Sequence, residues 1–179
     1  MQSHTEQSLY DFKQGFMLLD GSKKLDESVF EKVFKTLAAM ANQGPGTVGY
    51  VLVGVADDAR TASRIESLYG VKPVQYQRFL ITGVEHEAED LPKKLDSYFL
   101  GITQRLSVTE MSDWARSQIA RDIRLINYFG KSLVVFRVEA GNEPCHFQGK
   151  YYERHGPNLS EVSQPQFTAL FRRFLAVAS

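Results

Sequence analysis

Two acid-bearing stretches are the chemistry-bearing feature of this chain: Tyr10-Asp11-Phe12-Lys13, and Val51-Leu52-Val53-Gly54-Val55-Ala56-Asp57-Asp58 some forty residues on. Each ends a hydrophobic run on carboxylates, and Glu6 stands five residues before Asp11. Glu6, Asp11 and Asp57 are therefore candidate acidic ligands. Mg²⁺ or Mn²⁺ is held by a few carboxylates together with water and phosphate oxygens, so acids at strand ends beside a lysine suit phosphodiester chemistry. On a strand, Asp11 and Lys13 point to the same face, which would let the ammonium offset phosphate charge next to a metal on Asp11. A plain surface strand of alternating charge would also carry Asp-x-Lys, and only the second acidic strand end sets this chain apart.

The remaining polar groups are less ordered. His4, His86, His146 and His155 are scattered without the spacing of a zinc site. His155 follows Arg154 before Gly156-Pro157-Asn158, so this strand end could touch a phosphate or serve in proton transfer, against a simple surface role. Gly44-Pro45-Gly46 lacks the Gly-Lys-Ser/Thr of a nucleotide-binding loop and reads as a turn into a buried strand. Arg78, Arg105, Arg116, Arg121 and Arg124 alternate with Tyr69 and Trp114, yet Glu110, Asp113 and Asp122 among them favour a solvated face.

The elements that must position these groups follow from periodicity. A first strand spans 8–13. A helix runs from Asp26 or Ser28 as cap to about Asn42, with Val29, Phe30, Val33, Phe34, Leu37 and Met40 on one face. Residues 48–55 form the central buried strand, and 59–70 a short amphipathic segment. A strand over 78–84 and a helix over 89–105 come next. Residues 123–129 and 132–138 make a hairpin about Gly130-Lys131, and 150–156 a late strand. The last helix starts at Ser163, with Pro165 in its first turn and Phe167, Leu170, Phe171, Phe174 and Leu175 as its apolar face.

The 179 residues suit one domain with a real core, and 21 basic residues balance 21 acidic ones. Any affinity for nucleic acid must then come from a local patch. A lone Cys145 excludes an intrachain disulfide framework and favours a cytoplasmic chain, with the thiol as a packed apolar group. No apolar run is long enough for membrane spanning, and Met1-Gln2-Ser3-His4 does not open a secretion signal.

The ordered set of acid-Phe-Lys, Ala39-Met40-Ala41-Asn42, a Gly-rich turn, Leu52-Val53-Gly54-Val55-Ala56-Asp57-Asp58, a Gly-Lys hairpin and Tyr152-Glu153-Arg154-His155-Gly156 resembles the Schlafen-type AlbA-like domain over nearly the whole chain. The resemblance implies an α+β fold with a mixed, mostly antiparallel sheet and flanking helices. It implies three metal-binding carboxylates at Glu6, Asp11 and Asp57, as in Schlafen proteins that cut transfer and ribosomal RNA, with Lys13 assisting. Asp11 stands where glutamate is usual, and Ala56 where an acid is common. The implied function is a Mg²⁺- or Mn²⁺-dependent endoribonuclease on structured RNA in a bacterial defence or stress effector, with Lys13, Arg154 and His155 on the backbone. DNA is a further partner to be weighed. A non-catalytic nucleic-acid-binding or sensing domain and an oligomerisation module are the alternatives. The family comparison also implies a homodimer that supplies a second wall around RNA, and a chain of this extent suits a domain excised from a larger protein.

Overall fold

The computed structural model describes residues 8–175. Its centre is a four-stranded sheet in the order β1-β2-β7-β6, built from β1 (Tyr10–Lys13), β2 (Val48–Val53), β6 (Arg124–Tyr128) and β7 (Lys131–Glu139). Strand β1 lies parallel to β2, and the other pairings are antiparallel. Two three-stranded antiparallel sheets flank it. One holds β3 (Val55–Ala56), β4 (Val74–Tyr76) and β5 (Phe79–Ile81); the other holds β8 (His146–Phe147), β9 (Lys150–His155) and β10 (Asn158–Glu161). The fold is α+β with a mixed, mostly antiparallel arrangement of strands.

Helix α1 (Glu27–Ala41) lies between the central sheet and β8–β9. Asp26 caps it by accepting from the Ser28 N–H at 3.0 Å, and Phe30, Val33, Phe34, Leu37 and Met40 are buried. Phe16 stacks on Phe30 at 3.9 Å, and Phe136 meets Phe16 and Phe34 edge-on, so aromatic rings fill the space between helix and sheet.

Several elements differ from sequence expectation for local reasons. Gly54 adopts φ +113 and splits the expected 48–55 strand into β2 and β3; a Cβ there would sit 2.7 Å from Leu133. Helix α2 (Ala59–Tyr69) occupies the expected amphipathic segment, with Asp58 accepting from the Thr61 N–H at 2.7 Å. After the short α3 (Glu85–Ala88), the helix expected from 89 begins only at α4 (Leu95–Val108), since Pro92 disfavours helical geometry at Leu91 and Lys94 takes φ +46. The Arg- and acid-rich stretch from Asp113 to Asp122 folds as α5, burying Ala115, Gln118 and Ile119. The turn at Gly156-Pro157-Asn158 opens β10, which pairs back along β9.

The terminal helix begins with a capping box between Ser163 and Gln166, continuing as α6 (Phe167–Leu175). Leu170 and Phe174 are buried with Val162 against Tyr151, whereas Phe171 and Leu175 remain exposed. Cys145 is fully buried, and burial pushes its thiol up to about 12, which keeps it unreactive. Among the described residues, no helix is long and apolar enough to cross a membrane.

The loop after β1 is fastened by a buried carboxylate. Glu87 accepts from the Phe16 and Met17 N–H groups, each at 2.8 Å, and from the Tyr98 hydroxyl at 2.6 Å. Burial pushes its pKa up and these three donors pull it down, with burial dominating. Glu87→Gln turns an amide NH₂ toward one backbone N–H, so urea denaturation should show a loss of about 1–3 kcal/mol. The wild type carries a pH signature that the variant lacks. A folded pKa above the unfolded one gives stability that is full below the unfolded pKa and is lost as pH rises through the folded value.

Candidate phosphodiester-binding site

Strand β1 is the outer strand of the central sheet, and its N-terminal end is locked by Arg154 on β9. The Arg154 side chain is only 3 % exposed. Its guanidinium donates to the Ser8 carbonyl at 3.1 Å, the Tyr10 carbonyl at 2.8 Å and Asp11 Oδ1 at 3.2 Å. Burial lowers the Arg154 pKa and the Asp11 charge raises it; the guanidinium stays a cation at any ordinary pH. Lys13 Nζ donates to Asp11 Oδ2 at 2.6 Å, so each carboxylate oxygen of Asp11 faces a cation.

Asp57 reaches this group from the neighbouring strand. The Gly54 N–H donates to the Lys13 carbonyl at 2.8 Å, and the Gly54 carbonyl accepts from the Thr82 and Gly83 N–H groups, each at 2.9 Å. The chain is thus anchored beside β1 just before β3 delivers Asp57. Asp57 is exposed, and among the described residues it has no hydrogen-bond or ion-pair partner. Crowding by neighbouring atoms still pushes its pKa up; Lys13 opposes that shift, and the charges of Asp11 and Asp58 add to it. Asp58 is used as the cap of α2, and its N–H donors hold its pKa down.

The expected site residues thus divide. Asp11, Lys13 and Asp57 share one electrostatic neighbourhood at adjoining strand ends. Glu6 lies outside the described residues. Among the described residues, no group of three or more His, Cys, Asp or Glu side chains is arranged to hold a metal. Arg154 is buried and directed at β1, which makes it a positioning residue for Asp11. His155 is exposed and lies 3.4 Å from Glu153, which also pairs with Arg173 at 2.7 Å.

A cleft of about 670 Å³ opens behind Arg154, lined by Ser8, Asn42, Glu153, His155 and Arg173 among others. Asp11, Lys13 and Asp57 do not line it. Asn42 ends α1 and is fully buried; its amide donates to the Cys145 and Tyr152 carbonyls, both at 2.9 Å, and its oxygen accepts from the Cys145 N–H at 2.7 Å. Arg173 donates to the Asn42 carbonyl at 2.8 Å. Sequence reading missed Asn42 and Arg173 as the parts that set β9, because their partners lie about a hundred residues away and leave no local pattern.

The profile of the Schlafen, AlbA_2 family matches residues 6–163. The chain belongs to that family. No curated protein matches it. Among solved structures, the DIP2311 protein of Corynebacterium diphtheriae is similar over 91 % of this chain, at 17 % identity and a TM-score of 0.49. This AlbA_2 chain spans 23 % of that protein's length.

Removal of the buried cation tests the lock. Arg154→Ala leaves two carbonyls and Asp11 uncompensated, and should lower stability by about 2–3 kcal/mol. That is less than for a fully buried pair, because Asp11 keeps contact with water and Lys13. Chemical denaturation reads the change, and an unaltered midpoint would remove Arg154 from this role.

Proposed function

We propose that this AlbA_2 chain binds nucleic acid and that the face carrying Asp11, Lys13 and Asp57 cuts a phosphodiester bond of structured RNA such as a transfer RNA. One observation carries the reading: the Gly54 N–H bonded to the Lys13 carbonyl sets the strand that leads to Asp57 alongside the strand carrying Asp11 and Lys13, so acids far apart in sequence share one electrostatic neighbourhood. The donor chemistry fits Mg²⁺ or Mn²⁺. Asp57 has an unshared carboxylate whose charged form is disfavoured first by partial burial and then by Asp11, and each Asp11 oxygen keeps a lone pair beside its N–H donor. Asp11 and Asp57 would hold the ion, with Glu6 as the expected third ligand. When bound, such an ion lowers the pKa of a water and offsets charge growing on the phosphate.

The chain's own residues supply the rest. Arg154 fixes the orientation of Asp11 through two backbone carbonyls. Lys13, on its flexible stem, can move its ammonium from Asp11 to a phosphate oxygen as substrate arrives. His155 and Glu153 border the cleft behind the site, where an RNA backbone would continue. The proposed setting is a cytoplasmic defence or stress effector. A homodimer joined through the exposed Phe171 and Leu175 would add a second wall. A second reading, binding without cleavage, is favoured by the two cations already on Asp11, which satisfy its charge without a metal.

With Mg²⁺ or Mn²⁺ the purified protein should cleave transfer RNA. Asp57→Ala should lower the rate by about 100-fold or more while leaving the fold intact, because Asp57 has no structural partner. Cleavage that persists in the variant would overturn the assignment. Lys13→Ala should reduce the slope of log affinity against log salt by about one. Binding without cleavage in the wild type would select the second reading.

A further inference from the structure

Two hairpin tips meet beside the acid site, and neither is used by it. Tyr76-Gln77-Arg78-Phe79 turns β4 into β5, and Tyr128-Phe129-Gly130-Lys131 turns β6 into β7. Tyr76 lies 5.9 Å from Tyr128 and 6.2 Å from Phe129, and the last two rings are 4.5 Å apart. Tyr128 is half-buried against the Val55, Ile81 and Leu133 cluster, and the other two rings stand outside it. Phe129 is 63 % exposed and Tyr76 43 %.

Three features distinguish this patch from a casually exposed apolar surface. The first is charge. In a chain with 21 acidic residues, none falls in 67–84 or 123–138, the stretches that contain both hairpins. Each tip instead pairs its aromatics with one cation: Arg78 stands 5.1 Å over the Phe79 ring, and Lys131 is opposite Tyr128. The second is backbone conformation. Phe129 takes φ +50 and Gly130 φ +75, a turn in which asparagine or glycine is the relaxed choice for the first position. A bulky ring held in that region, and pointed at water, indicates a function outside the fold. The third is continuity with the site. Phe12 lies between Asp11 and Lys13 on the opposite face of β1 and packs on Phe79 at 4.6 Å, so the aromatic patch abuts the strand bearing the acids.

We infer that the joined hairpin tips form a stacking platform for unpaired bases of a single-stranded nucleic-acid segment, with Arg78 and Lys131 holding its phosphates. The inference rests on the nucleic-acid reading above and adds where the strand lies and in what state. Aromatic faces accept every base, so the platform selects unstacked over paired substrate and reads no sequence. A strand seated there would lead its backbone past Phe12 toward Lys13. A protein partner or a second copy would also cover aromatic rings, but neither accounts for a cation on each hairpin tip; the Glu85 carboxylate at the base of the second hairpin is engaged by the Ser132 N–H.

The full chain should be titrated by fluorescence anisotropy with a labelled, unstructured RNA of about 15 nucleotides and with a blunt duplex of equal length. Phe129→Asn should weaken single-strand binding by about 10-fold, within the range of one stacked base, and change duplex binding by less than about 2-fold. Its melting temperature should hold or rise, because asparagine relaxes the turn; this separates the platform from a structural role. Phe129→Trp should retain affinity. Lys131→Ala should lower the salt slope by about one. Unchanged single-strand affinity in Phe129→Asn, while Lys13→Ala weakens binding, would overturn the platform alone. Wild-type protein that binds neither probe would overturn both readings. A dimer in light scattering that Phe129→Asn dissociates would assign the patch to a second copy and overturn the platform.

Discussion

A single buried cation sets the geometry on which the proposed chemistry depends. The Arg154 guanidinium crosses from the β8–β10 sheet to the outer strand of the central sheet and meets two backbone carbonyls and one carboxylate there. The carbonyls of Ser8 and Tyr10 lie on the N-terminal side of Asp11, so a charged fork replaces hydrogen bonds that a further strand would make. Desolvating an arginine is unfavourable, and it is offset here by three oxygens rather than by Asp11 alone. The same contacts that close the sheet edge also hold the first acid in place.

Everything that fixes β9 therefore acts on Asp11. Asn42 ties the end of α1 to the backbone of Cys145 and Tyr152, and Arg173 of α6 binds the Asn42 carbonyl while pairing with Glu153. The second acid is set by a separate device. Gly54 bends the chain out of β2 at a point where any side chain would strike Leu133, and its N–H holds it to Lys13. Asp11 is thus bound on both oxygens and stiff, while Asp57 is unpaired and open. One carboxylate stays fixed and the other can adapt to what binds, a division that suits a site receiving a charged, variable substrate.

How far the sequence disclosed this depends on the range of the interaction. Helix α1, a cap at Asp26 or Ser28, and the start of the last helix at Ser163 were legible because their signals lie within four residues; the structure selects Asp26 and adds Gln166 to the Ser163 cap. That Asp11 and Asp57 stand at the ends of two hydrophobic runs was legible in the sequence; that Gly54 ties the second run to Lys13 was not. The start of α4 was misplaced because apolar periodicity at Leu91 and Leu95 continues through Pro92, which disfavours helix at Leu91, and through Lys94, which takes φ +46. Helix α5 was hidden by its charges, which leave only Ala115, Gln118 and Ile119 as buried positions and so no strong apolar period. Arg154 read as a surface cation beside His155, because nothing in Tyr152-Glu153-Arg154-His155 says which residue of an alternating strand turns inward. Only the sheet that β9 joins decides that.

The burial of Arg154 also changes where external charge can act. A guanidinium already engaged by three oxygens has little left for a phosphate, so attraction for a polyanion must come from cations nearer the surface. Lys13 is one, held by one carboxylate oxygen of Asp11 and, more loosely, by the Phe12 carbonyl. Arg78 and Lys131 are others, placed on the hairpin tips. The chain is neutral because its 21 acids match its 21 basic residues, and four of those acids pair with arginines on α4, α5 and β7: Glu27 with Arg105, Asp113 with Arg116, and Asp122 and Glu139 with Arg137. Local placement of this kind gives a neutral protein cationic tips without a basic composition. The field of such tips is short-ranged, falling off within about 10 Å at moderate salt.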